Sequence, residues 1–359
     1  MRIPDHLRAG QTIGVCAPSF GATTEPYRSR FDFAVRQFEQ AGYTIQAGAT
    51  CRLSDGYGIS TSPERAAREL EAFYRDSGTQ AVISCGGGEL MCETVSYIDF
   101  ARLGEARPKW FMGYSDNTNF IFPLATISQV AGIYGPTFTG FGKPWEQAEL
   151  DALALLEGTA RTVHGYPRFQ SPEADERAAA ADPLAPYVLD CEKVLHSFVP
   201  AGATLRPADR EQELTGSGIL LGGCLDVLAN LCGTKLDNMA AFNRSHDAVI
   251  WVLESCDGNP MEIRRQLWHL ENAGWFDRAV LFVIGRPLAS WRQSMMGLDQ
   301  YNAVTGILAR HEVPVILDAD VGHISPAVPL IIGAETKVTA RGNELQFDFR
   351  CGPEACTRQ

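Results

Sequence analysis

The sequence predicts an α/β fold built from two domains, and three observations indicate it. In the first part of the chain, short β-branched runs alternate with segments of helical pattern, as in strand–helix–strand units around a parallel sheet. A second pattern of the same kind begins near residue 216, after a polar stretch rich in proline. The length of 359 residues fits this division, because a domain usually holds about 100 to 200 residues.

The first pattern predicts four strands that alternate with helices. The strands are expected over residues 11–17, 44–47, 81–84 and 109–113, and the helices over residues 27–41, 63–76, 91–97 and from 116 onward. The helix over residues 63–76 has the clearest start, because Ser62 can act as its N-cap and Pro63 takes the first helical position. Together these elements predict an N-terminal domain over residues 1–165.

Residues 146–215 differ in composition from the rest of the chain. The stretch is polar, has an Ala-rich patch at residues 178–181, and is interrupted by six prolines: Pro167, Pro172, Pro183, Pro186, Pro200 and Pro207. We expect no stable core in it. Residues 166–215 are therefore interpreted as a surface crossover between domains, or as a loop that covers a substrate.

The second pattern predicts a C-terminal α/β domain over residues 216–359. Strands are expected over residues 217–221, 248–253, 279–284 and 313–317, and helices over residues 225–232, 260–273 and 303–311. Residues 336–349 alternate apolar and polar side chains with a period of two, which predicts an antiparallel pair of strands at a sheet edge.

Composition and charge exclude several classes of protein. Hydrophobic residues make up 45% of the chain and charged residues 21%, which is typical of a globular protein. The net charge of −12 would repel a phosphate backbone or an anionic membrane surface, so we expect neither as a partner. The uncharged stretch over residues 117–142 contains Pro123 and Pro136, which favours a buried helix and a buried loop over a membrane span.

The cysteines indicate a reducing compartment. The ten cysteines form no CxxC pair and no Cys/His cluster with the spacing of a zinc site. Cys16 and Cys85 lie inside apolar runs, where a thiol behaves as a small buried hydrophobe. Because the N-terminal residues also lack the apolar region of an export signal, we expect a cytoplasmic protein with reduced thiols and no bound metal.

Ser115 lies where an apolar strand ends and a helix begins. A serine on such a turn presents its hydroxyl above the sheet edge, close to the N–H groups that open the helix. The GxSxG motif of the α/β-hydrolases is absent, because Asn117 occupies its last position. The local pattern therefore leaves two interpretations open, a nucleophile and a serine that caps the helix.

A run of three glycines, Gly86, Gly87 and Gly88, follows the third predicted strand directly. Without Cβ atoms, their backbone amides can approach a ligand closely. They could surround a phosphate, contribute an N–H to an oxyanion hole beside Ser115, or form a tight turn.

Glu254 and His323 are an acid and a base at predicted strand ends, and taken alone each could instead be a cap or a hydrogen-bonded core residue. Glu254 closes the strand AVIWVLE, and His323 follows the strand over residues 313–317 by a few positions. In open α/β sheets, ligands bind at the carboxyl ends of the strands. A serine hydroxyl becomes a good nucleophile when a neutral imidazole takes its proton and a carboxylate orients that imidazole. Ser115, His323 and Glu254 are residues of these three types.

The sequence resembles the LD-carboxypeptidase family of serine peptidases, which includes the microcin C immunity hydrolases. The resemblance covers nearly the whole chain, and its markers are LRAGQTIGVCAPS, SPERAARELEAFY, GGELMCETVSYID, GYSDNT, YGP, GILLGGCLDVLANLCGT, VLE before residue 255, and the pair Gly322-His323. It implies an N-terminal flavodoxin-like domain with a parallel sheet, a C-terminal mixed α/β domain, and an active site at their interface.

The resemblance also implies roles for individual residues. The nucleophile is expected at Ser115, with Glu254 and His323 completing the triad. The backbone amides of Gly87 or Gly88, and of Asp116, are expected to form the oxyanion hole. No metal or organic cofactor is implied, and relatives suggest a homodimer.

Two positions depart from the usual family pattern, which leaves the substrate open. Tyr134 replaces a histidine that many relatives have before Gly-Pro, and Cys224 replaces an asparagine. We expect hydrolysis of the L-to-D junction of a murein-type tetrapeptide. The alternative within the family is an aminoacyl nucleotide of the microcin C type, on whose base Trp145 could stack; Tyr134 is a further candidate substrate contact. The alternative outside it is a two-domain protein that binds a small anionic molecule without turning it over.

Overall fold

The computed structural model describes residues 1–350, so Cys351 and Cys356 lie outside the described residues. This part of the chain divides into two compact units. Unit 1 holds Met1–Ala160, Glu173–Val188 and Pro329–Ile331, and unit 2 holds Arg161–Pro172, Leu189–Val328 and the described residues from Ile332 onward.

The secondary structure follows the alternation that the sequence predicts. The strands are β1 (Thr12–Cys16), β2 (Thr44–Ala47), β3 (Ala81–Ser84), β4 (Trp110–Gly113), β5 (Gly132–Tyr134), β6 (Thr162–His164), β7 (Arg168–Phe169), β8 (Cys191–Glu192), β9 (His196–Ala201), β10 (Thr204–Pro207), β11 (Leu214–Cys224), β12 (Val249–Glu254), β13 (Ala279–Gly285), β14 (Ser294–Met295), β15 (Leu298–Asp299), β16 (Val315–Ala319), β17 (Leu330–Ile332), β18 (Glu335–Arg341) and β19 (Glu344–Arg350). The helices are α1 (Tyr27–Gln40), α2 (Pro63–Arg75), α3 (Met91–Val95), α4 (Phe100–Glu105), α5 (Thr118–Thr126), α6 (Gln147–Glu157), α7 (Pro172–Ala181), α8 (Leu225–Leu231), α9 (Met239–Ser245), α10 (Pro260–Asn272) and α11 (Asn302–Leu308).

A six-stranded sheet in the order β17-β5-β4-β3-β1-β2 forms the centre of unit 1. The four pairings among β1 to β5 are parallel. The order β2-β1-β3-β4-β5 is that of flavodoxin-like doubly wound sheets, so the predicted class of the N-terminal domain is confirmed. Because β3 and β4 are parallel neighbours, their carboxyl ends lie at the same edge of the sheet, and the glycine run and Ser115 follow those ends.

A nine-stranded mixed sheet forms the centre of unit 2, in the order β10-β9-β16-β13-β12-β11-β18-β19-β6. Strands β16, β13, β12 and β11 are parallel, and the strands flanking them are antiparallel. The predicted mixed α/β class is therefore confirmed. The predicted antiparallel pair near the end of the chain is present as β18 and β19, but its edge position is wrong, because β6 covers the outer side of β19.

The expectation that residues 146–215 form no stable core is wrong. Helix α6 buries five apolar side chains in unit 1: Ala148, Ala152, Leu153, Leu155 and Leu156. Tyr166, Phe169 and Val199 are also buried. The physical reason is that the prolines limit the length of the elements without preventing short strands and a helix with an apolar face. The region is shared between the units, with residues 173–188 in unit 1 and residues 189–215 in unit 2.

The uncharged stretch over residues 117–142 begins with a buried helix, as the sequence predicts, but the predicted loop after it is partly wrong, because Gly132–Tyr134 form the buried strand β5 beside β4. Helix α5 has nine residues and contains Pro123. Across residues 1–350, no helix is both long enough and apolar enough to cross a bilayer.

Candidate active site

Ser115 lies on a strained turn between β4 and α5. Its φ of 63° lies in the left-handed region, which a residue with a side chain rarely occupies without a compensating interaction. One such interaction is visible, since the backbone N–H of Ser115 donates to the hydroxyl of Tyr134 at 3.0 Å. Residues Ser115–Asn117 form a 3-10 turn, so α5 begins at Thr118 and two residues later than predicted. A strained serine on a strand-to-helix turn has the geometry of a nucleophile elbow.

The glycine run lies beside this turn. A Cβ atom added to Gly87 would lie 3.7 Å from Oγ of Ser115, so the backbone of Gly87 borders the serine hydroxyl. The carbonyl of Gly86 accepts hydrogen bonds from Nδ2 of Asn117 and from the hydroxyl of Ser84, which ties the loop to the serine turn and to β3. At Gly88 the φ of +147° excludes most side chains, and an added Cβ would lie only 2.0 Å from Oγ of Ser19.

The amides implied for the oxyanion hole are available to a ligand. Among residues 1–350, the N–H groups of Gly87, Gly88 and Asp116 donate to no protein acceptor. All three belong to unit 1, as does Ser115. Their availability agrees with the expectation that they receive a developing negative charge.

The side chain of Asp116 is buried, with 2% of its surface exposed. It accepts hydrogen bonds from the hydroxyl of Ser19 at 2.6 Å, the backbone N–H of Met91 at 2.9 Å and Nδ2 of Asn119 at 2.8 Å. Burial raises the pKa of Asp116, and the three hydrogen bonds oppose that shift. The sequence predicts a role for the backbone of Asp116 and none for its carboxylate.

His323 and Glu254 form a hydrogen-bonded pair in unit 2. Nδ1 of His323 lies 2.8 Å from Oε2 of Glu254, and the Glu254 side chain is fully buried. The carboxylate accepts a hydrogen bond from Nδ1–H, so in the neutral ring Nε2 is the basic nitrogen. The arrangement is the acid–imidazole pair that nucleophilic catalysis by serine requires.

Gly322 makes room for this pair. A Cβ atom at this position would lie 2.5 Å from Oε2 of Glu254, and the φ of Gly322 is +104°. Any other residue would displace the carboxylate or the loop. The Gly322-His323 marker therefore has a steric cause, since the glycine allows the histidine loop to pass directly over Glu254.

Two neighbours of the His–Glu pair were not identified from the sequence. Burial raises the pKa of the Cys256 thiol, and the neighbouring His323 opposes the shift. Asp226 accepts a hydrogen bond from the backbone N–H of Cys256 at 2.9 Å and so anchors the turn after β12. Cys224 ends β11 directly opposite Glu254 in the register of the sheet. A search for polar residues just beyond the ends of β11 and β12 would have found Asp226 and Cys256.

The two candidate substrate contacts lie in different surroundings. Tyr134 is buried and contacts the Ser115 backbone, and its ring meets Tyr114 edge-on. Trp145 packs edge-on against Phe38 at 5.0 Å and donates its indole N–H to the carbonyl of Phe141. Trp145 is thus part of an aromatic cluster on unit 1, and its role as a stacking surface stays a prediction.

The structure groups the predicted residues into two sets. Unit 1 brings together Ser115, Gly87, Asp116 and Tyr134, with Gly88 adjacent, and unit 2 brings together Glu254 and His323. The joint action of the serine and the His–Glu pair stays a prediction.

A serine on a nucleophile elbow and a buried His–Glu pair are the components of a serine hydrolase. Family models identify which one: residues 13–135 match the LD-carboxypeptidase N-terminal domain, and residues 217–338 match the LD-carboxypeptidase C-terminal domain. The chain therefore belongs to the LD-carboxypeptidase family of serine peptidases, as the resemblance implies.

Relatives span the whole chain. A Streptomyces coelicolor protein named as a carboxypeptidase is 24% identical over 354 residues, 96% of each chain. The microcin C7 self-immunity protein MccF of Escherichia coli is 22% identical over 341 residues, which cover 92% of this chain and 91% of MccF.

Solved structures share the fold. MccF in complex with aspartyl sulfamoyl adenosine superposes with a TM-score of 0.77 at 17% identity, covering 98% of this chain and 99% of MccF. A muramoyltetrapeptide carboxypeptidase from Oxalobacter formigenes gives a TM-score of 0.69 at 18% identity, covering 96% of this chain and all of that one.

Proposed function

We propose that the protein is a serine carboxypeptidase that hydrolyses an amide bond through an acyl-enzyme, with Ser115 as nucleophile, His323 as general base and Glu254 as the residue that orients it. The observation that carries the proposal is the 2.8 Å contact between Nδ1 of His323 and the buried carboxylate of Glu254. This contact fixes the tautomer in which Nε2 can accept a proton, and it stabilises the imidazolium that forms.

In the first half of the reaction, Oγ of Ser115 bonds to the carbonyl carbon while its proton passes to Nε2 of His323. The tetrahedral intermediate then expels the amine, which receives that proton, and an ester on Ser115 remains. In the second half, water adds to the ester carbon and gives a proton to His323. Collapse of this intermediate releases the acid and returns the proton to Oγ.

The amides of Gly87, Gly88 and Asp116 are proposed to receive the negative charge on the carbonyl oxygen. Their support is the closeness of Gly87 to the serine hydroxyl and the absence of a protein acceptor for these three N–H groups within residues 1–350. Loss of one such donor costs on the order of a hundredfold to a thousandfold in turnover.

The proposed substrate is a murein-type tetrapeptide cut at its L-to-D junction. Family membership supports a carboxypeptidase, and a muramoyltetrapeptide carboxypeptidase is among the proteins that share the fold. A cytoplasmic location, where murein fragments would be recycled, and a homodimeric state are part of the same proposal.

A second candidate is amide hydrolysis of an aminoacyl nucleotide of the microcin C type. Its support is the likeness to MccF. The structure of MccF with aspartyl sulfamoyl adenosine superposes on nearly the whole chain, with a higher TM-score than the muramoyltetrapeptide carboxypeptidase gives. The same three residues would act on either substrate, because both reactions are amide hydrolyses.

Labelling with a fluorophosphonate tests the nucleophile. We expect intact-mass measurement to show one adduct per chain on the wild-type protein, no adduct on Ser115→Ala and strongly slowed labelling of His323→Ala. Ser96→Ala and His269→Ala are matched controls, because Ser96 just after α3 and His269 on α10 are both exposed, and these variants should label like the wild type. A wild-type chain that takes no label, while binding a small anionic ligand, would support the non-catalytic alternative.

Product analysis separates the two substrates. The wild-type protein is incubated with murein tetrapeptide and, separately, with aspartyl sulfamoyl adenosine. Release of D-Ala supports the carboxypeptidase, and release of free aspartate with the sulfamoyl nucleoside supports the second candidate. Each product should be absent with Ser115→Ala.

A further inference from the structure

The buried carboxylate of Asp116 connects three segments that surround Ser115. Its partner Ser19 follows β1, its partner Met91 begins α3 just beyond the glycine run, and its partner Asn119 lies in the first turn of α5. Ser19 and Asn119 are almost completely buried, with 0% and 1% of their surfaces exposed. Water therefore does not compete for these hydrogen bonds, and the carboxylate holds the segments at fixed distances.

We propose that the Asp116 side chain is a positioning group that sets the geometry of the oxyanion hole. This inference rests on the proposed function of Ser115 and goes beyond it, because that function uses only the backbone N–H of Asp116. The carboxylate acts through the loop and turn that carry the N–H groups and makes no contact with the reacting atoms.

The first connection runs from the carboxylate to Gly88. Oδ2 of Asp116 holds the hydroxyl of Ser19 at 2.6 Å. That hydroxyl lies against the backbone of Gly88, where an added Cβ would be 2.0 Å from Oγ of Ser19. Since Ser19 packs directly on Gly88, its hydrogen bond to Asp116 limits how far this part of the loop can move. The neighbouring Phe20 N–H adds a hydrogen bond to the carbonyl of Gly87 at 3.1 Å.

The second connection runs back to the serine turn. Oδ1 of Asp116 accepts from Nδ2 of Asn119 at 2.8 Å, and the same Nδ2 donates to the carbonyl of Asp116 at 3.0 Å. Asp116 is thereby held at both its side chain and its carbonyl, on either side of the Cα that follows its N–H. The direction of that N–H decides whether it can reach an oxyanion.

The chemical nature of the buried Asp116 side chain also favours a positioning role over a contribution to stability alone. Burying a carboxylate carries a desolvation cost, which an apolar side chain of similar size would avoid. An ionised carboxylate can accept from all three donors at once, whereas an amide in its place would direct an N–H group at one of them. Only the carboxylate satisfies the whole set.

Steady-state kinetics of Asp116→Asn tests the inference. We expect kcat to fall about a hundredfold to a thousandfold, as for loss of an oxyanion donor, while KM changes less than about threefold. The rate of fluorophosphonate labelling should fall in parallel, because the phosphonyl oxygen uses the same N–H groups. Glu149→Gln is the matched control: Glu149 is also a buried carboxylate of unit 1, with 2% exposed, and its replacement should leave kcat unchanged.

Ser19→Ala and Asn119→Ala keep the test decisive if Asp116→Asn does not fold. Each retains the carboxylate and removes one donor, and we expect each to lower kcat about tenfold with KM nearly constant. Wild-type kcat in both variants, or in Asp116→Asn, would overturn the positioning role and leave Ser115 as the nucleophile. If the wild-type protein itself takes no label at Ser115, the proposed function fails and the inference fails with it.

Discussion

At the scale of single residues, the backbone of Ser115 shows how the site depends on local strain. A φ of 63° costs about 1 to 3 kcal/mol and persists only where the surroundings enforce it. Tyr134 contributes to that enforcement, because its hydroxyl accepts the Ser115 N–H at 3.0 Å. Tyr134 is also one of the two positions where the sequence departs from the family pattern. The residue that departs from the family pattern is therefore the one that contacts the backbone of the proposed nucleophile.

Replacement of Tyr134 by phenylalanine removes the acceptor at this N–H while keeping the ring. We expect kcat to fall about tenfold, which corresponds to ~1.4 kcal/mol, with little change in KM. The measurement is steady-state hydrolysis of the substrate that the product analysis identifies. Tyr97→Phe is the control, because Tyr97 is 59% exposed. Equal kcat for the wild type and Tyr134→Phe would show that the hydroxyl does not support the serine turn.

At the scale of elements, a buried hydrogen bond to α6 helps to anchor the segment over residues 173–188 within unit 1. The hydroxyl of Tyr187 donates to Oε1 of Glu149 at 2.8 Å, and Glu149 belongs to the capping box of α6. Burial raises the pKa of Glu149, and the hydrogen bond from Tyr187 opposes that shift. Nζ of Lys143 lies 4.9 Å from the centre of the Tyr187 ring. A helix start and a returning chain segment thus share one carboxylate.

Tyr187→Phe removes the donor to the buried Glu149 carboxylate. We expect urea denaturation to show that the free energy of unfolding of unit 1 falls by about 1 to 3 kcal/mol. This is the cost of leaving a buried acceptor without its hydrogen bond. Tyr57→Phe serves as the reference, because Tyr57 is 83% exposed and should change stability by less than about 0.5 kcal/mol. Similar urea midpoints for Tyr187→Phe and Tyr57→Phe would mean that the hydrogen bond from Tyr187 does not anchor the segment over residues 173–188.

The pairing of β9 with β16 contains a titratable contact. Nδ1 of His196 lies 2.9 Å from Oδ2 of Asp318, which also accepts from Tyr301, while Gln300 donates to Oδ1. The hydrogen bond to Asp318 raises the pKa of His196, and burial opposes the shift. A raised histidine pKa means that the charged form is stabilised by folding. The stabilisation is therefore complete below the ordinary value of about 6.5 and is lost as the pH rises through the folded pKa.

His196→Gln keeps a neutral donor and removes the titration. We expect the wild type to exceed this variant in Tm by more at pH 5.5 than at pH 8, as measured by thermal melting at fixed ionic strength. His269→Gln is the control, since His269 is exposed on α10. A difference in Tm that is the same at both pH values would contradict a charged His196–Asp318 contact.

At the scale of the whole molecule, the chain distributes its proposed catalytic groups over two units. Unit 1 carries the serine and the oxyanion amides, and unit 2 carries the His–Glu pair. The chain passes from unit 2 into unit 1 between Val328 and Pro329, a few residues after His323, and adds β17 to the six-stranded sheet. A short stretch of chain therefore separates His323 from the last strand of the unit 1 sheet.

A double-mutant cycle tests whether the two sets act as one site. Ser115→Ala and His323→Ala should each reduce turnover strongly, and the double variant should be no slower than either single variant within about threefold, because residues of one triad act as a unit. The assay uses a sensitive activated ester so that residual turnover is measurable. If the double variant instead lost turnover by the product of the two single-variant factors, the two residues would act independently.

The sequence by itself determined the class of fold and predicted which residues carry the proposed chemistry. Strand β2 lies where the pattern predicts it, and β4 and β12 end at the predicted Gly113 and Glu254. The spacing of apolar residues and the residues that end a strand or helix are local features of the sequence, so these bounds could be predicted. The motifs around Ser115 and His323 consist of residues that are neighbours in sequence, such as the Gly322-His323 pair. A short window of sequence is therefore enough to detect them. The sequence also indicated the family, which the domain matches confirm.

Only the tertiary structure decided which side chains support these residues. The Ser19–Asp116 contact joins residues far apart in the chain, as does the pairing of β6 with β19, which takes the terminal hairpin away from the sheet edge. Such contacts depend on which elements become neighbours when apolar faces are buried, and no short window of sequence contains that information. The core in residues 146–215 was missed for the same reason: its short elements become stable only by packing against partners distant in the chain.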